Sequence, residues 1–174
     1  MRVISGKYKG KKLEGFNING TRPTMDRVKE SLFGSIQTYL ENSVCLDLFA
    51  GSGSLGIEAL SNGASTCYFV DNSKEILPIL KKNLNDIEGS ILIENDYLEA
   101  IKKIDKKIDI VFLDPPYKKN LIKPSIEALI KNELLKDGAL IVCEYADEIF
   151  AFDYPIIKEK KYGDKNILIY KKTS

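Results

Sequence analysis

Histidine is absent from the 174 residues of the chain. With it go the commonest general acid/base and the commonest transition-metal ligand, so any chemistry must run on carboxylates, lysines, tyrosines, backbone groups or a bound cofactor. Cysteine is scarce: Cys45, Cys67 and Cys143 are an odd number with no close pair, which argues against a disulfide framework and a clustered zinc site. No apolar run approaches the roughly 20 residues needed to cross a bilayer, and the start Met1-Arg2-Val3-Ile4-Ser5-Gly6 lacks the apolar core of a signal peptide. The expectation is a cytoplasmic protein with neither metal nor membrane partner. What remains, 44% hydrophobic and 29% charged residues, suits one soluble globular domain and excludes fibrous or disordered classes.

A net charge of +1 hides an uneven distribution. Residues 1–29 hold eight Lys/Arg against Glu14 and Asp26, and residues 158–174 hold six lysines against Glu159 and Asp164, so both ends are basic and the body is acidic. Such ends are either a solvated lysine-rich surface or a basic arm that neutralises phosphates on a polyanion, with Tyr8 and Phe16 as stacking groups. Charge alone does not choose between them.

The first twenty residues read as an extended arm or small hairpin. Thr24 can cap a helix in which Met25, Val28, Leu32, Phe33 and Ile36 recur at helical spacing through about residue 39. From residue 44 the pattern changes to short apolar runs: Val44 to Leu48, Thr66 to Val70, Ile91 to Ile93, Ile108 to Leu113 and Ala139 to Cys143. Runs with so little polar alternation suit strands covered on both faces, and helical segments at about 54–62, 73–87, 97–104 and 121–135 separate them. Five strand–helix alternations predict a doubly wound, mostly parallel α/β sheet. Tyr154 to Ile157, a turn near Gly163-Asp164, and Ile167 to Tyr170 look like a hairpin added at one sheet edge. The expected organisation is a basic arm and helix over residues 1–40 and a single α/β unit over 41–174.

Gly51-Ser52-Gly53-Ser54-Leu55-Gly56 follows the first core strand and opens a helix, and Asp71 ends the second strand about 20 residues on. Glycines let a ligand approach the backbone, and a carboxylate at the end of the second strand can accept from ribose hydroxyls. An adenosine-containing cofactor is expected. Asp47, just before the loop, would repel a dinucleotide's pyrophosphate but would favour the sulfonium and ammonium of S-adenosylmethionine. Asp96, at the end of the third strand, can either bind the adenine amine or cap the helix that begins near Tyr97.

Asp114-Pro115-Pro116-Tyr117 follows the strand 108–113, at the carboxyl edge where open α/β sheets bind their ligands. An exocyclic aryl amine is a poor nucleophile because its lone pair is delocalised into the ring. The Asp114 carboxylate and the Pro115 carbonyl can take its two N–H groups and turn the lone pair toward a methyl donor, while the prolines fix the loop and Tyr117 offers a flat face for stacking. Cytosine-C5 chemistry would need a nucleophilic cysteine, and all three cysteines fall within predicted strands, where thiols are inert packing.

Taken together, Arg2-Val3-Ile4-Ser5-Gly6, Thr21-Arg22-Pro23-Thr24-Met25-Asp26-Arg27-Val28-Lys29-Glu30, Leu46-Asp47-Leu48-Phe49-Ala50-Gly51-Ser52-Gly53 and Asp114-Pro115-Pro116-Tyr117 resemble the RsmD-type ribosomal RNA methyltransferases, in order and over nearly the whole chain. The glycine loop and the DPPY segment are shared by many methyltransferases, whereas the RPTxDRVKE segment is much more specific. The resemblance implies a Rossmann-like methyltransferase fold of seven strands, the last antiparallel, and methyl transfer to the exocyclic N2 of a guanine in 16S ribosomal RNA. It implies S-adenosylmethionine contacts at Asp47, Phe49, Ala50, Gly51, Ser52 and Gly53, at Asp71 and Asn72, and near Asp96 and Tyr97. Asp114, Pro115, Pro116 and Tyr117 would grip the guanine. With ribosomal RNA, or the assembling small subunit, as partner, the basic arm becomes an RNA-contacting element with Arg2, Lys7, Arg22 and Arg27 as candidates, and a monomer is expected. Tyr162-Gly163-Asp164-Lys165 resembles the family's C-terminal element but has Lys165 in place of threonine. Other planar amines, such as adenine N6 or a glutamine amide, and a non-catalytic RNA-binding role are the competing readings.

Overall fold

The computed structural model describes residues 1–15 and 23–174; Phe16 and Arg22 lie outside the described residues. After a short N-terminal hairpin come α1 (Pro23–Leu40), β1 (Val44–Asp47), α2 (Ser54–Ser61), β2 (Thr66–Asp71), α3 (Leu77–Leu84), β3 (Ser90–Glu94), α4 (Tyr97–Lys103), β4 (Ile108–Leu113), α5 (Ile122–Lys131), β5 (Leu135–Tyr145), β6 (Ile156–Tyr162) and β7 (Lys165–Lys171). The strands form one sheet in the order β3-β2-β1-β4-β5-β7-β6. The first five run parallel, β7 is antiparallel to β5, and β6 pairs antiparallel with β7 at the edge. The order reverses direction between β1 and β4, the switch point at which doubly wound sheets open a crevice at their carboxyl edge.

Continuous apolar runs become central strands because both faces are covered. On one face Leu32, Phe33 and Ile36 of α1, Ile57 and Leu60 of α2, and Leu80 of α3 pack on Cys45, Phe69, Phe112 and Val142. On the other, Ile101 of α4 and Ile122, Ile126 and Leu129 of α5 pack on Leu46, Val70, Val111 and Ile141. Val3 and Leu13 of the N-terminal hairpin belong to the first layer, so the hairpin and α1 share the core of the sheet.

Several boundaries differ from expectation. Helix α1 starts at Pro23, so Thr24 falls inside its first turn; proline tolerates the first position because its missing N–H would have no intrahelical partner. Helix α3 begins at Leu77 rather than 73, with Pro78 in its first turn, and α5 stops at Lys131 because Glu133 takes a positive φ of 52°. Strand β5 starts at Leu135, and its pairing with β4 shifts register between Ile108 and Ile110. Strand β6 runs to Tyr162 through Lys158-Glu159-Lys160-Lys161, further than the apolar Tyr154 to Ile157, since an edge strand needs few apolar residues and charge protects it from pairing with another chain.

The N-terminal hairpin bridges Arg2 to Lys12 and is fastened to α2 through one buried carboxylate. Glu58, fully buried, accepts from the backbone N–H of Ile4 (2.9 Å) and Ser5 (3.0 Å) and from Asn62 Nδ2 (3.0 Å), and it pairs with Lys29 Nζ at 3.2 Å. The Lys29 ammonium also donates to the Arg2 carbonyl (2.8 Å) and Ser54 Oγ (2.9 Å). One ion pair thus joins the hairpin, α1 and the start of α2.

Candidate functional site

The parallel strands all point their carboxyl ends at the same rim, and that rim is acidic. Asp47 ends β1, Asp71 ends β2, Asp114 follows β4 and Glu144 lies at the end of β5, so neighbouring strands each contribute one carboxylate. Each stands two residues beyond a member of the first core layer (Cys45, Phe69, Phe112 and Val142), and a period of two puts all four on one face of the sheet. On antiparallel β7, Lys165 lies two residues before Ile167 of the same layer and continues the row. Its Nζ meets Glu144 Oε1 at 3.0 Å.

Burial raises the proton affinity of two of these acids, Asp47 and Asp114. Asp47, 1% exposed, is pushed from the ordinary value of 3.8 up to about 7 by burial, helped by Asp71 and Glu144 and opposed by the N–H of Gly56. Asp114 is raised too, by burial first and then by Glu144 and Asp47, with Lys165 opposing. Four carboxylates against one ammonium among the described residues make the row complementary to a positively charged ligand.

The glycine loop points the same way. In a phosphate-binding loop the backbone N–H groups face the anion, but here they are already engaged: Gly51 donates to Asp71 Oδ2 (2.9 Å), Gly53 to the Ala50 carbonyl (2.8 Å) and Gly56 to Asp47 Oδ2 (3.1 Å). The loop serves to hold two carboxylates in place. Gly53 has a φ of 85°, and at Gly56 a Cβ would sit 2.3 Å from the Phe69 ring, so α2 can approach β2 only without a side chain there. Asn83 Nδ2 fixes the loop from outside by donating to the Ser52 carbonyl (2.8 Å), and Ser52 Oγ donates to Met1 Sδ (3.3 Å).

Against the second core layer Phe49 and Tyr97 pack with ring centroids 5.4 Å apart. Asp71 also accepts from Ser73 N–H through Oδ1 (3.0 Å), and Asn72 is exposed beside it. Asp96 caps α4: its Oδ1 accepts from Leu98 N–H (2.9 Å) and Glu99 N–H (3.0 Å). The capping role is therefore realised, and only Oδ2 has no partner among the described residues.

The acceptor loop adjoins the acidic row. Neither the Asp114 carboxylate nor the Pro115 carbonyl accepts a hydrogen bond among the described residues. Pro116 turns the chain, its carbonyl accepting from Lys119 N–H at 3.4 Å, and the following Lys118 and Asn120 adopt positive φ of 65° and 52°. Tyr117 is 63% exposed, with Lys118 Nζ 5.3 Å from its ring centroid. The thiols take no part: Cys45, Cys67 and Cys143 are buried and burial raises all three, Cys45 to about 12.

The basic candidates separate. Arg2 lies at the glycine-loop end, since its carbonyl and Ser54 Oγ share the Lys29 ammonium and its neighbour Met1 reaches Ser52. Lys7 sits at the opposite rim, its N–H donating to the Ser61 carbonyl and its Nζ pairing with Glu88 just before β3 (3.1 Å), so about 20 Å of strand separates it from the acidic row. Arg27 is exposed on the first turns of α1. Reasoning from motifs missed Glu144 and the Lys29–Glu58 pair. The signal for Glu144 was present, a carboxylate directly after an apolar run, as at Asp114; nothing local announces an ion pair between two helices.

Comparison with known proteins adds three findings. The family model described as Conserved hypothetical protein 95 matches residues 1–171. The chain is 40% identical over 179 residues to Ribosomal RNA small subunit methyltransferase D of Haemophilus influenzae, covering 98% of this chain and 93% of that one, and 38% identical over 182 residues to YlbH of Bacillus subtilis, covering 99% of each. The solved structure of yhhF from Escherichia coli matches 100% of this chain and 98% of its own with a TM-score of 0.88 at 32% identity.

Proposed function

The chain belongs to this family, that of ribosomal RNA small subunit methyltransferase D, and from that membership we propose that it transfers a methyl group from S-adenosylmethionine to the exocyclic N2 amine of a guanine in 16S ribosomal RNA. The observation that carries the reading is that, among the described residues, the Asp114 carboxylate and the Pro115 carbonyl accept no hydrogen bond and stand at the same rim as a row of carboxylates that Lys165 alone pairs with.

The residues present fit the cofactor. Asp47 and Asp71 offer negative charge to a cationic ligand, the amides of Gly51, Gly53 and Gly56 are unavailable to a pyrophosphate, and Phe49 and Tyr97 provide an aromatic wall. Asp71 and Asn72 would hold the ribose hydroxyls, Ala50 to Gly53 would border the methionine part, and Asp96 Oδ2 beside Tyr97 would meet the adenine amine. When bound, S-adenosylmethionine would supply an electrophilic methyl group on a sulfonium whose sulfur is released as a neutral thioether.

The chain's own contribution is placement and charge. Asp114 and Pro115 take the two N–H groups of the guanine amine, which localises the nitrogen lone pair and aims it at the donor side of the rim. Tyr117 stacks on the base after it leaves its RNA context, offsetting part of an unstacking cost of a few kcal/mol. After transfer the methylated nitrogen is acidic, and Asp114, whose proton affinity burial has raised, is placed to accept its proton. Arg2 and Arg27, at the same end of the molecule as the glycine loop, would contact phosphates. In this reading residues 1–40 form the RNA-facing layer and 41–174 the catalytic unit, joined through one core.

Incubating the protein and labelled S-adenosylmethionine with small ribosomal subunits that lack the modification, then digesting to nucleosides, tests the acceptor. The expected product is N2-methylguanosine. Label in N6-methyladenosine or in ribosomal protein would overturn the assignment, and no label with intact cofactor binding would favour a non-catalytic RNA-binding role.

A further inference from the structure

The row of carboxylates ends in one cation, and its position is built into the sheet. Leu113 pairs with Cys143, so the next residues on these parallel strands, Asp114 and Glu144, are neighbours on the same face. Glu144 in turn pairs with Ile167 across the antiparallel β5–β7 ladder, and Lys165 follows two residues along that face. The base of the lysine is fixed, because Asn166 Nδ2 donates to the Ala146 carbonyl at 2.8 Å and ties the start of β7 to the end of β5. From there Nζ reaches Glu144 Oε1 at 3.0 Å.

We propose that Lys165 is a positioning residue for methyl transfer: its ammonium, held against Glu144 on the face that carries Asp114, opposes proton uptake by Asp114 and so favours the carboxylate that accepts from the target amine. The inference rests on the reading of Asp114 as amine acceptor. Among the described residues, Asp47 of β1, Glu144 of β5 and Lys165 of β7 act on the charge of Asp114 from the strands around it. Asp47 and Glu144, together with burial, favour the protonated acid; a protonated Asp114 keeps one oxygen occupied by its own proton and presents a donor to an amine that needs an acceptor. Among the described residues, Lys165 acts against this. Reciprocally, burial alone would lower the lysine, but Asp114 and Glu144 hold it above its ordinary value, so it stays charged through the working pH range. A lysine that served merely as a surface ion pair would leave turnover insensitive to its charge.

The test is the pH dependence of kcat/KM for methylation of unmodified small subunits by wild type, Lys165→Met, Lys165→Arg, Glu144→Gln and Asp114→Ala, with calorimetric binding of S-adenosylhomocysteine as the check on folding and on the cofactor pocket. Lys165→Met should move the acidic limb up by about one pH unit, a tenfold loss of rate below the limb that vanishes at high pH. Glu144→Gln, which removes a like charge, should move it down, and Lys165→Arg should restore the wild-type profile. The inference is overturned if Lys165→Met leaves the limb in place, or lowers the rate equally at all pH values, while cofactor affinity is retained. Turnover surviving in Asp114→Ala would instead overturn the acceptor reading itself, and turnover lost there with an unmoved limb in Lys165→Met would remove only the role of Lys165.

Discussion

Two acids on the same side of the sheet, Glu58 fully buried and Asp114 half-buried at the rim, have opposite surroundings. Glu58 is saturated: Lys29, two backbone N–H groups, the Ser5 hydroxyl and Asn62 all donate to it. Asp114 accepts no hydrogen bond among the described residues, and two carboxylates and one ammonium, Glu144, Asp47 and Lys165, act on its charge. Satisfied polar groups rigidify a fold, whereas a carboxylate without hydrogen-bond donors from the chain is left to take them from solvent or from a ligand. The difference separates the fastening of the N-terminal hairpin from the chemistry of the rim, although Ser54, bonded to Lys29, opens the helix that follows the glycine loop.

The largest effect should come from breaking the saturated site. Glu58→Gln leaves the Lys29 ammonium buried without its carboxylate, and urea unfolding should show a loss of about 3–5 kcal/mol. The folded fraction should still bind S-adenosylhomocysteine within about threefold of wild type, since none of the proposed cofactor contacts is touched. If affinity collapses while stability holds, the two regions are one functional unit and the comparison fails.

Next in size is the effect of pH through Asp47. Its proton is held up to about 7 in the folded chain but is lost near 3.8 in the unfolded one, so between these values the folded state binds more protons. Stability contributed by this group is therefore complete below about 3.8 and falls as pH rises to about 7, by a few kcal/mol. The difference between wild-type and Asp47→Asn unfolding free energies across that window isolates the contribution. A flat difference would mean that Asp47 is already charged in the folded protein. Cofactor affinity should change with the opposite sign, tightening as pH rises through 7 because a cationic ligand prefers the ionised acid.

Removing the unsatisfied acceptor should matter for rate alone. Asp114→Ala is expected to lower kcat about a hundredfold, equivalent to about 2.7 kcal/mol of transition-state stabilisation, with unfolding free energy unchanged or raised. An equal loss of stability would place Asp114 with Glu58 as a structural acid.

Much of this contrast could be read in advance on one side and little on the other. Asp47, Asp71 and Asp114 were legible because each directly follows an apolar run that must be a covered strand, and the carboxyl edge of such a sheet is the place for ligands. Their relative placement was legible only as far as the strand order was. Glu58 and Lys29 look like ordinary solvated helix charges, and their burial depends on how the hairpin, α1 and α2 pack, which no local pattern encodes. Strand β6 was misplaced for the related reason that Lys158 to Lys161 carry an edge-strand composition, and the split between Arg2 and Lys7 follows from a hairpin whose two ends reach opposite rims.

The smallest effect concerns Asp96, which belongs to both categories. Its Oδ1 is satisfied by two N–H groups at the start of α4, as Glu58 is satisfied, while Oδ2 remains open like Asp114. Asp96→Ser keeps a capping oxygen and removes the second acceptor. Stability should then stay within about 0.5 kcal/mol of wild type, while S-adenosylhomocysteine binding weakens about fivefold, the worth of one hydrogen bond of about 1 kcal/mol. Asp96→Ala should lose the same affinity and, in addition, about 1 kcal/mol of stability from the cap. If the serine variant binds the cofactor as wild type does, Asp96 is a helix cap and nothing more, and the adenine amine must find its acceptor elsewhere on the rim.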